Sequence, residues 1–179
     1  MVDGRTSTAI YVGRFQPFHL GHLYAVRHAL KEVRRLIIVI GSSQRSYEPR
    51  HPFTLGERME MIRLATEEAH IPPSRFIMVP VPDVEIHPTW VSLVEYSCPS
   101  FDMAFTNEPL TTRLLKEAGY RVVAVPLQER NDLSGTSIRE RMSRGMPWEH
   151  LVPRSVASYI KKVHGPERIR EIASLTKNP

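Results

Sequence analysis

Residues 36–40 read LIIVI, an unbroken apolar run in which four of five side chains are β-branched. A run that short, preceded by Arg34-Arg35 and followed by Gly41, fits a strand covered on both faces. Such a strand constrains everything around it, because a sheet buried on both sides needs helices on each. The rest of the chain supplies them. Strand-like runs at 7–12, 75–81, 101–106 and 120–126 alternate with helical apolar spacing at 20–33, 55–69, 90–96, 109–119 and 134–145. Thr54 and Glu57 form a T-x-x-E capping box, Pro109 opens a helix, and Gly119 and Gly145 end two others. Two more helices are expected at 150–165 and 166–177. The predicted fold class is α/β: a single Rossmann-like domain with a five-stranded parallel sheet, helices on both faces and a C-terminal helical tail. Residues 1–145 would form its core and 146–179 a helical extension, a size that suits one domain.

Bulk properties narrow the function classes only slightly. No apolar run approaches the ~20 residues that span a bilayer, and the opening MVDGRTSTAI has no signal core, so no membrane association is expected. One cysteine, Cys98, leaves no internal disulfide and points to the reducing cytoplasm. A net charge of +5 and a pI of about 9.6 suit an anionic partner or simply a basic, solvated surface. Aromatic and basic residues are not interleaved as in RNA readers, so nucleic acid is not expected as a partner. The basic residues of the C-terminal tail carry no motif and are assigned to the surface.

The unusual polar segments all follow strands, at 13–22, 41–52, 82–90, 106–109 and 128–136. In open α/β sheets ligands bind beyond the carboxyl ends of strands. The first of these segments, GRFQPFHLGH, has the chemistry to hold a polyphosphate. Gly13 ends a strand, Gly21 permits close approach at a helix start, His19 and His22 add donors, and Arg14 adds a planar cation. No Walker loop occurs. Two histidines this close also suit a helix-capping role, while a zinc site lacks the cysteines and carboxylates it needs.

GRFQPFHLGH resembles the H-x-G-H signature of the nucleotidyltransferase superfamily, and SGTSIRERM at 134–142 is similar to its second signature. The stretch 40–62, IGSSQRSYEPRHPFTLGERMEMI, narrows the resemblance to the archaeal-type nicotinamide-nucleotide adenylyltransferases. VPDVEIHPTWV and TNEPL fall where that family has related segments. The resemblance implies transfer of AMP from ATP to nicotinamide mononucleotide (NMN), giving NAD and pyrophosphate. Related acceptors remain open: nicotinic acid mononucleotide first, FMN or phosphopantetheine less so. A non-catalytic nucleotide- or RNA-binding protein is the reading from another class.

Carried over residue by residue, the resemblance makes His19, His22 and Arg139 catalytic. Gly13, Arg14, Phe15, His19, Gly21, His22, Arg50, Ser134, Thr136 and Arg139 would bind ATP and its phosphates. Asp83, Trp90 and Arg130 would bind NMN, with Trp90 stacking on the nicotinamide ring. Core packing alone would also account for Trp90, and a surface role for Arg50; Arg141 and Arg144 read as a solvated helix face. No protein metal site is implied, since Mg²⁺ would arrive on the ATP phosphates. The family also implies a closed homo-oligomer, commonly a hexamer. The chain departs from the family pattern at His87, Glu108, Gln128 and Leu133, all on the mononucleotide side of the resemblance.

Overall fold

A computed structural model describes residues 6–126 and 133–175. The chain forms two compact units that alternate along the sequence. One draws on Met1–Arg14, Tyr24–Ser43 and Pro72–Pro126, the other on Phe15–Leu23, Gln44–Ile71 and Leu127–Pro179. The strands are β1 (Thr6–Gly13), β2 (Val33–Ile40), β3 (Phe76–Pro80), β4 (Met103–Phe105) and β5 (Arg121–Val123). The helices among the described residues are α1 (Leu20–Glu32), α2 (Leu55–Glu68), α3 (Trp90–Ser97), α4 (Pro109–Glu117), α5 (Gly135–Ser143), α6 (Arg154–Lys162) and α7 (Gly165–Leu175).

All five strands belong to the first unit and pair in parallel in the order β3-β2-β1-β4-β5, the sheet expected from the sequence. Ile37 stands opposite Ile10 and Ile77, and Ile10 opposite Ala104. Alternation sends Ile10, Ile37, Val39 and Ala104 to one face, where they bury against Val91 and Val94 of α3 and Leu115 of α4. Ala9, Leu36, Ile38, Ile40 and Phe105 are wholly buried on the other. There α1 sets His28 edge-on to the Phe105 ring at 6.3 Å. Helices therefore cover both faces, and each large apolar side chain so buried contributes about 1.5–3 kcal/mol.

Most element ends shift by a few residues from the sequence reading, and two of the shifts have a visible cause. The helix expected to run to residue 33 stops at Glu32, and Val33 enters β2 without a loop. Arg75 braces this junction: its guanidinium donates to the carbonyl of Leu30 (2.7 Å) in the last turn of α1, and to those of Val33 (3.0 Å) and Arg34 (2.7 Å) at the start of β2. The strand expected over 120–126 narrows to three residues, matching its neighbour β4. Beyond it the Asn107 side chain replaces the ladder, donating to the Val125 carbonyl at 2.8 Å and accepting the Val125 N–H at 2.9 Å.

In the second unit, α2 packs on α6 and α7 on α5 and α6. The capping box forms as read: Thr54 Oγ1 accepts the Glu57 N–H at 3.2 Å, and a Glu57 oxygen accepts the Thr54 N–H at 2.9 Å. Glu68 in turn caps α6, accepting the N–H groups of Arg154 (3.3 Å) and Ser155 (2.7 Å).

Candidate functional site

In the first unit the strand order reverses between β1 and β4, the point at which an open α/β sheet offers a crevice. β1 ends at Gly13, whose carbonyl accepts the Gly41 N–H at 2.9 Å, and the chain continues into exposed Arg14. At the end of β4, Glu108 caps α4 by accepting from Leu110 N–H at 3.2 Å and Thr111 N–H at 2.6 Å. Burial pushes this carboxyl up, but the Thr111 and Leu110 bonds and the Arg14 charge outweigh it, leaving Glu108 below its usual range. The residue that departs from the family pattern thus has a local role as a helix cap. Asp83, beyond β3, accepts a hydrogen bond from the Ser42 hydroxyl at 2.9 Å. Trp90, half-buried at the start of α3, packs against the core cluster of this unit, while His87 in the same loop is exposed.

The second unit holds the two signature histidines. Their rings stack at 3.6 Å with 25° between planes, and each backbone N–H points to the other's ring. The His19 N–H donates to His22 Nδ1 at 3.2 Å, and the His22 N–H to His19 Nδ1 at 3.4 Å. An Nδ1 that accepts is unprotonated, so each neutral ring carries its hydrogen on Nε2. Phe15 (4.8 Å) and Phe18 (5.4 Å) enclose the His22 ring. Burial lowers His19 to about 4. Burial, and then the charge His19 would carry, hold His22 well below the ordinary histidine value. Both rings are therefore neutral donors at pH 7. Gly21 leaves room beside them, since a Cβ there would sit 3.0 Å from the His19 ring and press against it.

The second signature forms the start of α5. Ser134 is its N-cap and accepts the Ser137 N–H at 3.1 Å. One turn on, Arg139 donates to Thr136 Oγ1 at 3.3 Å and to the Gln16 carbonyl at 2.7 Å. A Cβ on Gly135 would lie 2.9 Å from that carbonyl, so only glycine allows α5 to approach it. The side chain of Gln16 also donates to the Phe53 carbonyl (2.9 Å) and accepts the Phe53 N–H (3.0 Å). Gln16 thereby joins the histidine segment to α5 and to the segment leading into α2. Arg50 is exposed at the tip of a tight turn closed by the Glu48–His51 bridge.

The structure brings Phe15, His19, Gly21 and His22 together in the second unit and ties them to Ser134, Thr136 and Arg139 through Gln16. Gln16 was not singled out in the sequence, although it lies inside the quoted signature. Arg130 and Gln128 lie outside the described residues. Arg141 and Arg144 behave as a solvated face: Arg141 donates to the Pro147 carbonyl at 3.2 Å, and Arg144 pairs with Glu140 at 2.7 Å. Arg168 is a correction to the surface assignment of the tail. Its side chain is 15% exposed and pairs with Glu57 through both nitrogens, at 2.6 and 2.8 Å. Among the described residues, no three His, Cys, Asp or Glu side chains are grouped to hold a metal ion, and no helix is long and apolar enough to cross a membrane.

The chain matches the cytidylyltransferase-like family model over residues 10–141. It is 46% identical over 165 residues to a nicotinamide-nucleotide adenylyltransferase of Pyrococcus horikoshii, spanning 92% of this chain and 88% of the relative. A protein of the same name from Pyrobaculum aerophilum is 48% identical over 168 residues, spanning 93% and 94%. Among solved structures, a bifunctional NMN adenylyltransferase/ADP ribose pyrophosphatase from Francisella tularensis has a TM-score of 0.80 at 19% identity, over 96% of this chain and 54% of that one. A second structure of it, complexed with AMP and a Mn ion, has a TM-score of 0.77 at the same identity, over 94% and 52%. At that identity the likeness is one of fold.

Proposed function

Because the chain belongs to the cytidylyltransferase-like family, we propose that it is an adenylyltransferase that joins the AMP moiety of ATP to NMN, giving NAD and pyrophosphate. Relatives 46% and 48% identical over nearly their whole length carry that activity in their names. In the reaction, an oxygen of the NMN phosphate attacks the α-phosphorus of ATP in line. The bond from that phosphorus to the bridging oxygen breaks, and pyrophosphate leaves with the electron pair. The nucleophile is already an oxyanion, so the enzyme needs no base. It needs donors that neutralise charge as the pyrophosphate departs.

The observation that carries this reading is the histidine pair. Two neutral rings with Nδ1 engaged and hydrogens on Nε2 are built to donate to phosphate oxygens, not to abstract protons. His19 and His22 would bind the ATP phosphates, with His22 stabilising the transition state. Arg139 would hold the β- and γ-phosphates, supported by Ser134 and Thr136. Gly13, Phe15 and Gly21 would shape the approach, with Arg14 and Arg50 as further phosphate contacts. Asp83, Trp90 and Arg130 would serve NMN. Mg²⁺ would enter as part of the MgATP substrate. The donor set fits this, since protonated Nε2 and guanidinium groups cannot ligate a cation and phosphate oxygens can.

The reading takes residues 1–179 as one nucleotidyltransferase domain, because its two units alternate along the chain. It places the protein in the cytoplasm, where a lone cysteine stays reduced; burial pushes the Cys98 thiol up to about 11. It also includes the family's homo-oligomer. Pyrophosphate release from MgATP, measured with NMN, nicotinic acid mononucleotide, FMN and phosphopantetheine, tests the function. Highest kcat/KM with NMN is expected. A clear preference for FMN or phosphopantetheine would overturn the acceptor, and no release with any of them would overturn the transfer.

A further inference from the structure

We propose that Arg168 of α7 is a positioning residue for Arg50, holding the turn that presents this arginine to phosphate. The inference rests on the reading of Arg50 as a phosphate contact.

Arg168 touches both ends of the segment that carries Arg50. Before the turn, its guanidinium lies over the Tyr47 ring, 4.8 Å from the centroid. After the turn, it donates to the Pro52 carbonyl at 3.3 Å. Its own position is fixed by two hydrogen bonds to the Glu57 carboxylate and one to the Val163 carbonyl at 3.2 Å. Between the two anchors, Glu48 and His51 exchange backbone hydrogen bonds at 2.9 and 3.2 Å, leaving Pro49 and Arg50 as the turn itself. Glu48 is braced within the segment by Arg45 at 3.3 Å and by His51 Nδ1 at 3.3 Å.

The turn borders a pocket that opens to solvent. A cavity of about 210 Å³ is lined by Pro49 and Pro52, by Thr136 and Arg139 of α5, and by Ile169 and Ile172 of α7. Pro49 and Arg50 are themselves exposed, so packing does little to place the tip of the turn, although His51 and Pro52 behind it are buried. Tyr47 itself is 60% exposed and adopts a positive φ of 55°, so neither burial nor backbone preference holds it there. Phe53, gripped by Gln16, is a further fixed point. Arg50 is therefore located by Arg168 from one side and Gln16 from the other, and Gln16 also receives Arg139. A side chain in the last helix thus sets the geometry of a phosphate contact more than a hundred residues earlier.

The test is a set of mutant cycles read in KM for ATP, kcat and Tm, with MgATP and NMN. Tyr47→Ala removes one anchor while leaving the Glu57–Arg168 pair intact, and Arg168→Lys keeps the charge but loses the two-pronged geometry. Arg50→Ala should raise KM for ATP about tenfold or more, as loss of a charged hydrogen bond does. Tyr47→Ala and Arg168→Lys should each raise it several-fold with kcat little changed. Tyr47→Ala should leave Tm near the parent value, and neither change should raise KM further in an Arg50→Ala background. Unchanged KM in both single variants, or full additivity with Arg50→Ala, would overturn the positioning role. If Arg50→Ala itself left KM unaltered, the reading of Arg50 would fall first and this inference with it.

Discussion

The main-chain carbonyl of Gln16 accepts a hydrogen bond from Arg139 at 2.7 Å, across 123 residues of sequence. Through it the two signatures of the second unit are mechanically one object. The histidine segment fixes one terminal nitrogen of the arginine that the later helix supplies, and Thr136 fixes the second terminal nitrogen. An arginine restrained in this way loses little freedom when a phosphate arrives.

Replacing Arg139 by Met should therefore lower kcat/KM for ATP by on the order of 10² while KM for NMN changes little. Initial rates of pyrophosphate release at varied ATP check this. Parent-like kinetics would remove Arg139 from the phosphate site.

Gly135→Ala tests the same contact from its other side. A Cβ 2.9 Å from the Gln16 carbonyl must push α5 away and stretch the Arg139 bond. A stability loss of roughly 1–3 kcal/mol is expected, with a fall in ATP use resembling that of the Arg139 variant. Denaturant melts and steady-state kinetics measure the two effects, and a loss of stability alone would separate them.

His22→Ala should reduce kcat by on the order of 10² or more, the usual cost of a lost transition-state donor. Since both rings are neutral donors, kcat/KM should stay level from pH 6.5 to 8, with no histidine titration in that range. An acid limb steeper than the one the substrates' own phosphates impose, which titrate at about pH 6, would mean that a histidine acts as a base.

Stability has its own pH dependence, with a definite sign. An unfolded histidine takes up a proton as pH falls through 6.5, while His19 in the fold resists until about 4. Over that window the unfolded state binds more protons, so stability is complete above the window and declines through it. Calorimetric Tm values from pH 7 to 4 should fall accordingly, and His19→Asn should flatten the slope.

Trp90→Ala should raise KM for NMN more than KM for ATP and should also lower Tm, because the ring packs on the core of the first unit. Trp90→Phe should recover the Tm better than the KM. Equal damage to both substrates would leave packing as the residue's whole role.

The strands and helices were legible because each is written locally, in periodicity, caps and glycine punctuation. LIIVI declared a doubly covered strand, and Thr54 and Glu57 declared a helix start. What stayed hidden were side chains bonding to distant backbone. Arg75 closing the end of α1 and Asn107 extending the sheet leave no mark in any local pattern. The same holds at the site. The histidines, Ser134, Thr136 and Arg139 are carried by their motifs. Gln16 works through a carbonyl every residue possesses and an amide with no spacing rule. Arg168 looked like one basic residue among several on a tail, because its partner, Glu57, sits 111 positions away.

The distance between those partners has a consequence for synthesis. Chains emerge from the ribosome N-terminus first and begin folding as they do. A nascent chain that has extruded all five strands already owns both histidines, Gln16 and Arg50, but neither Arg139 nor Arg168. With these residues as the phosphate contacts, the grip would be assembled only once α5 and α7 follow, so competence toward ATP would come after the sheet is complete and nearly at once.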